Sequence, residues 1–282
     1  MTQAPDLKQM LTLERIERDL FRGYSTEGGQ RLFGGLVIAQ ALMAGYSTVS
    51  DRLCHSLHAY FLRAGDVSIP VLYEVDRARD GGSFTARRVI AVQNGEQILN
   101  LAASFQKPEE GLEHQVPMPS APAPESLPTE AEYLATFANQ LPPEKLRHID
   151  RMRAIELRWI DPQSPVQPVK KPSQRQIWMR AKIPLPDLCW QQVALAYASD
   201  IAFLEAALRV HGLHWTDRRL QGASLDHALW FHRPFDFTEW HLFAQEAPST
   251  SQGRGLVRGF VYSRDGTLVA SMVQECLIRL RT

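Results

Sequence analysis

Cysteine is scarce in this chain of 282 residues: there are three, Cys54, Cys189 and Cys276, and none forms a Cys-x-x-Cys pair. An odd, dispersed set excludes a disulfide framework and points to a reducing compartment. Net charge is missing too. The 31 Lys+Arg balance 31 Asp+Glu, so no global field draws the chain to nucleic acid or a membrane surface. No apolar run approaches the ~20 residues of a membrane helix. The first fifteen residues alternate charge with leucine and lack the apolar core of a signal peptide. The closing Leu280-Arg281-Thr282 is not a Ser-Lys-Leu address. The cytoplasm is therefore the expected location, with neither nucleic acid nor membrane as a partner. No Gly-x-Ser-x-Gly elbow occurs, Gly82-Ser83-Phe84 being the nearest stretch, which argues against a serine hydrolase. Gly34-Gly35 lacks the third glycine of a dinucleotide fingerprint. His55/His58 and His211/His214 have i, i+3 spacing but no matching third ligand, so neither metal nor cofactor is expected.

Proline, by contrast, is concentrated. Pro108, Pro117, Pro119, Pro122, Pro124 and Pro128 interrupt any helix or central strand, so the region reads as a linker. A helix over 130–139 follows, with Thr129 as its N-cap. A second proline-rich stretch, 162–172, separates strands expected at 155–159 and 176–180. Before the linker the pattern gives a strand at 16–22, an apolar helix over 34–45, and strands at 58–63, 71–78, 84–93 and 97–106. Asn94-Gly95 marks a hairpin between the last two. After the linker the order recurs. It gives an apolar helix over 193–210, then strands at 229–232, 240–246, 255–263 and 268–280, with Asp265-Gly266 at the matching turn.

The recurrence extends to residues. Segment 55–66 and segment 223–235 share Ser-Leu, an aromatic pair, an Arg and a later Asp, Asp66 or Asp236. Tyr60-Phe61 and Trp230-Phe231 stand 170 residues apart, Gly95 and Gly266 171, and Gln40 and Glu205 165. Near-constant offsets across a helix, a strand and a turn indicate one unit used twice. A helix with no polar face needs cover on all sides. An α+β fold follows, each repeat an antiparallel sheet wrapped around a central helix, the two sheets joined edge to edge. The chain divides as 1–106, a proline-rich connection with a helix at 107–150, and 151–282.

Several motifs in order then carry a resemblance. They are Phe21-Arg22-Gly23, Phe33-Gly34-Gly35, His55 to Asp66, Arg79-Asp80-Gly81 with Ser83-Phe84, Tyr197-Ala198-Ser199-Asp200, Leu225-Asp226-His227, Trp230 to Phe235, and Val273-Gln274-Glu275. Over nearly its whole length the chain resembles the TesB-type acyl-CoA thioesterases (acyl-CoA thioesterase II), whose fold is the double hotdog. The resemblance implies hydrolysis of medium- to long-chain fatty acyl-CoA to fatty acid and CoA, with acyl-CoA as the small-molecule partner. It implies a catalytic Asp, hydroxyl residue and Gln acting on a water, which fall on Asp200, Ser224 and Gln274. It also implies a symmetric assembly, a homodimer or homotetramer.

The chemistry suits those residue types. A thioester carbonyl is electrophilic, so the missing ingredient at neutral pH is a positioned, deprotonated water. A carboxylate can take the proton; a hydroxyl and an amide each donate and accept, and so can orient the water. Asp200 is expected near the start of the second buried helix, where backbone N–H groups would hold it. At the offsets above, Asp200 corresponds to Gly35 and Gln274 to Ala103, which places one site per chain, built from the second repeat. Arg63, Arg87, Arg88 and Arg258 are candidates for the CoA phosphates, His58 for shaping the pocket, and His227 for packing. Two other classes stay open: a hotdog hydratase of enoyl or hydroxyacyl thioesters, for which no Gly-Asp-x-Asn-Pro motif is found, and a non-catalytic acyl-CoA sensor.

Overall fold

The computed structural model describes residues 6–25, 31–137, 139–140 and 154–281. In the first repeat, helix α1 (Leu7–Leu11) and a hairpin of β1 (Glu14–Glu17) and β2 (Leu20–Gly23) lead into helix α2 (Gly34–Tyr46). Strands β3 (Leu53–Phe61), β4 (Val71–Asp80), β5 (Phe84–Gln93) and β6 (Glu96–Gln106) follow. After helix α3 (Glu130–Ala135), the second repeat runs through β7 (Ile155–Ile160), β8 (Arg175–Ala181), helix α4 (Leu188–Ser199) and helix α5 (Glu205–Arg209). It ends with β9 (Leu220–Ser224), β10 (Asp226–Phe231), β11 (His241–Ser251), β12 (Arg254–Ser263) and β13 (Leu268–Leu280).

Among the described residues, all strands belong to one antiparallel sheet ordered β1-β2-β4-β5-β6-β3-β10-β13-β12-β11-β8-β7, with β9 also on β13. The two repeats meet where β3 pairs with β10, His58 opposite Ala228. This is the expected edge-to-edge junction, and it leaves neither central strand an open edge. The strands wrap α2 and α4, which lie side by side and antiparallel: Gly35 packs on the carbonyl of Tyr197, and Tyr46 at the other end bonds Gln192. Every residue of α2 after Gly34 is buried, which explains a helix without a polar stripe. The echoed aspartates do the same job. Asp66 accepts from the backbone N–H and hydroxyl of Ser68, and Asp236 from those of Thr238, each closing a side-chain turn after a central strand.

Three readings of the sequence change. The expected strand at 16–22 is the tight hairpin β1–β2. The expected helix 193–210 is two helices, because α4 stops at Ser199 and Ala202 adopts φ 57° before α5 begins. No Gly or Pro announces that break. It is held from outside, by the buried Arg175, whose guanidinium donates to the carbonyl of Ala202 (2.7 Å) and pairs with Glu205 (3.0 Å). A left-handed alanine costs about 1–2 kcal/mol, a strain tolerated where surrounding contacts over-determine it. Matched by their C-caps, Asp200 corresponds to Ser47 rather than Gly35, so the 165-residue offset does not describe the helices.

The third change concerns the prolines. Part of 107–128 lies over the outer face of the second repeat. Met118, Ala121 and Leu127 pack against Trp178, Trp240 and Tyr262, and the Pro122 carbonyl accepts from the Trp178 indole at 2.9 Å. Proline suits such a strap because the segment adds no strand and needs few N–H partners. Thr129 caps α3 in a full capping box with Glu132. The far end of the helix expected at 130–139 includes residue 138. That residue, and 141–153 with the expected boundary at 150/151, lie outside the described residues.

Candidate active site

Asp200 ends its own helix. It is the C-cap of α4, not a residue of a helix start. The antiparallel packing nevertheless brings its carboxylate to a helix N-terminus, that of α2 in the first repeat, where the Gly35 N–H donates to it. Phe33, the N-cap of α2, has no side chain able to cap, so Asp200 takes that role from the other repeat. A Cβ on Gly34 would stand 2.7 Å from Asp200 Oδ2, and one on Gly35 2.4 Å from the Tyr197 carbonyl oxygen. Glycine is needed at both positions because two helix ends approach each other this closely.

Ser224 and Gln274 reach Asp200 through the sheet. β9 pairs with β13 so that Ser224 lies opposite Cys276. On β13, Gln274 alternates inward with Met272 and Cys276 and is 1% exposed. A glutamine in an apolar strand usually faces outward, and the burial of Gln274 is decided by the pairing of β13 in the sheet. The hydrogen bonds run in one direction. Gln274 Nε2 donates to Ser224 Oγ (2.9 Å), and Ser224 Oγ donates to Asp200 Oδ1 (3.1 Å). All three predicted residues thus meet at one point. Burial pushes the Asp200 carboxyl above the ordinary carboxylate range, and it outweighs the attraction of His227 and the hydrogen bonds from Gln274, Ser224 and Gly35.

His227, expected to pack, does more than pack. Its Nδ1 lies 2.5 Å from Gln274 Oε1 and its Nε2 2.9 Å from Ser199 Oγ. The neighbouring Asp226 accepts from the Glu275 backbone N–H (2.6 Å), which fixes the bend between β9 and β10. His58 meets Trp230 edge-on at the repeat junction. His55 bonds Ser104, His211 bonds Thr250, and His214 bonds Thr216.

Two cavities adjoin Ser224 and share Arg31, Leu32, Gly34, Gly222 and Ala223. One, of 320 Å³, is walled by Trp159, Phe203, Leu204, Trp215 and Glu130 and contains Asp200 and Gln274. The other, of 330 Å³, is bounded by Val37, Phe61, Ile98 and Arg63. Of the four arginines considered for phosphate contacts, Arg63 is the one beside the site, where it pairs with Glu96. Arg258 pairs with Glu246, on a different cavity. Arg87 is a structural brace instead: it is buried and bonded to Thr48 and Asp80, because its strand position faces the core.

Glu130, which opens α3, is a carboxyl that sequence reasoning missed. Burial, then the charge of Glu205, push it up to about 7, against a hydrogen bond from Trp159. Its folded-state value therefore exceeds the unfolded one near 4.5, and the folded protein holds the proton more tightly between those values. Stability is expected to fall as pH rises from about 4.5 to 7. Glu130→Gln should flatten that part of a melting-temperature profile; an unchanged slope would show that another group carries it.

Comparison with known proteins agrees with this architecture. Residues 154–277 match the family described as Acyl-CoA thioesterase, and residues 21–106 the Acyl-CoA thioesterase N-terminal domain. The chain is 40% identical over 277 residues to Acyl-CoA thioesterase 2 of Haemophilus influenzae, covering 97% of each. It is 39% identical to human Acyl-coenzyme A thioesterase 8, covering 96% of this chain and 88% of that one. Among solved structures, the acyl-CoA thioesterase II TesB2 of Mycobacterium marinum superposes with a TM-score of 0.80 at 39% identity, covering 98% and 97% of the two chains. With this degree of identity along its whole length, and a thioesterase match in each half, the chain belongs to the TesB-type acyl-CoA thioesterase II family, enzymes built as a double hotdog.

Proposed function

We propose that this enzyme hydrolyses medium- to long-chain fatty acyl-CoA by direct attack of a water activated by Asp200, Ser224 and Gln274. The observation that carries the reading is the one-way hydrogen-bond chain from Gln274 through Ser224 to Asp200 beside an apolar cavity. Ser224 spends its hydrogen on a carboxylate, which supports an orienting role for its hydroxyl. The other oxygen of Asp200 can accept a hydrogen from water. As the water oxygen bonds to the thioester carbon, Asp200 takes one of its protons. The tetrahedral intermediate then collapses, the C–S bond breaks, and the Asp200 proton passes to the departing CoA sulfur. With the Gly35 N–H already given to Asp200, the positive end of the α2 dipole is what favours the negative carbonyl oxygen there.

The acyl chain fits the cavity walled by Trp159, Phe203 and Trp215. CoA fits the one leading past Arg63, whose charge suits a phosphate. We assign the cytoplasm as the place of action and a homodimer or homotetramer as the assembly. Outward-facing Tyr60, Leu72, Leu256 and Phe260 support an assembly through the sheet. Thiol release measured over a series of acyl-CoA lengths tests the substrate range; activity confined to short acyl groups would refute it. Mass spectrometry of the enzyme quenched during turnover is expected to show no acyl adduct on Ser224. An adduct that forms and decays at the turnover rate would replace the water mechanism with an acyl-enzyme.

A further inference from the structure

A carboxamide is nearly symmetric in shape, so nothing in the outline of Gln274 decides which end faces Ser224. The two arrangements differ chemically. With Nε2 toward Ser224, the serine must accept from the amide, and its own hydrogen is free for Asp200. With Oε1 toward Ser224, the serine would donate to the amide, and Asp200 would lose that donor. The contacts of the amide with other groups make the choice. Cys276 Sγ, 3.3 Å from Nε2, is a weak partner in either sense. His227 Nδ1 at Oε1 is a strong one, and it decides by whether it carries a hydrogen.

We infer that His227, holding its hydrogen on Nδ1, is the positioning residue that turns the Gln274 amide so that the chain of donors ends on Asp200. The inference rests on the reading of Asp200, Ser224 and Gln274 as the water-activating set. His227 is 1% exposed and its burial opposes the charged form, so one ring nitrogen is bare. An ionised Asp200 can only accept, so Ser224 donates to it and accepts from Gln274 Nε2; this leaves Oε1, itself only an acceptor, toward His227 and assigns the hydrogen to Nδ1. Nε2 is then bare toward the Ser199 hydroxyl at 2.9 Å; that hydroxyl also lies 2.8 Å from the Ala196 carbonyl, so its hydrogen turns from the carbonyl to the ring. The ring is wedged by Phe203, edge-on at 6.0 Å between centroids, so it has little freedom to turn. Ser199, His227, Gln274 and Ser224 thus form a relay whose donors all face Asp200. A hydrogen bond ending on the carboxylate's charge is stronger than a neutral one, and this favours the same direction.

Two variants separate positioning from packing. Asparagine carries an N–H where the histidine has Nδ1, and glutamine carries its amide near the place of Nε2. His227→Asn is expected to stay within about fivefold of wild-type kcat. His227→Gln, although larger and closer in volume to histidine, is expected to lose about 10- to 100-fold in kcat with KM nearly unchanged, the cost of a misplaced reacting group. A packing role predicts the opposite order, and equal kcat values in the two variants would overturn the inference. The intact enzyme gives an independent answer if either variant folds poorly. Nitrogen-15 NMR of labelled histidine should find Nδ1 protonated and Nε2 bare at neutral pH; a hydrogen on Nε2 alone would overturn the inference. Gln274→Ala and Asp200→Asn tell the two levels apart. Wild-type kcat in both would refute the active-site reading itself. Loss in both, with His227→Gln fully active, would refute only the role of His227.

Discussion

Asp200→Asn is expected to lower kcat by about 10²- to 10⁴-fold, the usual contribution of a positioned general base. KM should change little, since the amide keeps the size of the carboxyl and the cavity walls are untouched. Wild-type enzyme should lose activity as the pH falls through the folded-state value of Asp200, and burial places that limb above the range of an ordinary carboxylate. Stability should move the other way. The folded state holds the Asp200 proton more tightly than the unfolded chain does, so native protein binds more protons in the window above 3.8, the ordinary aspartate value. Wild-type stability therefore decreases as pH rises through that window. Compared by melting temperature, the asparagine variant should gain on wild type as the pH is raised. A variant that keeps full kcat, or a stability difference that is flat with pH, would remove Asp200 from the role of base.

Gly34→Ala should be almost as damaging, although it adds one methyl group to a residue with no chemistry. That methyl would lie 2.7 Å from Asp200 Oδ2 and 3.0 Å from the ring of Phe61. Either the carboxylate moves or α2 does. A displacement of about 1 Å in a reacting group costs on the order of 100-fold in rate, and overpacking a buried contact costs about 1–3 kcal/mol. The variant should thus combine a melting temperature lowered by several degrees with a kcat loss beyond what the remaining folded fraction explains. Normal kcat in folded protein would mean that Asp200 does not need its place at the start of α2.

Much of this molecule can be read from its chain. The strand at 84–93 is found at the expected residues, because alternating apolar positions and the Asn94-Gly95 turn bound it on both sides. The capped start of α3 was equally legible, since Thr129 and Glu132 have capping-box spacing. The helix break after Ser199 was not. It depends on Arg175, distant in sequence, holding the Ala202 carbonyl, and no local residue type encodes that contact. Likewise the sequence suggests only packing for His227, because a buried histidine in a strand has no periodic signature of its partner. The pairing of β10 with both β3 and β13 is what brings Gln274 to it.

The sequence by itself determined the repeat and the three residue types suited to activating water. These are local or periodic properties, written in spacing. Tertiary structure alone decided where the charge of Asp200 is held. The antiparallel packing of α2 against α4 puts the C-terminal end of one repeat's helix against the N-terminal N–H groups of the other's. A carboxylate that its own helix dipole disfavours is thereby held by a foreign one. The first repeat, which contributes none of Asp200, Ser224 and Gln274, still shapes the site through Gly34 and the Gly35 N–H. Contacts between elements about 165 residues apart are set by packing, which no local spacing records.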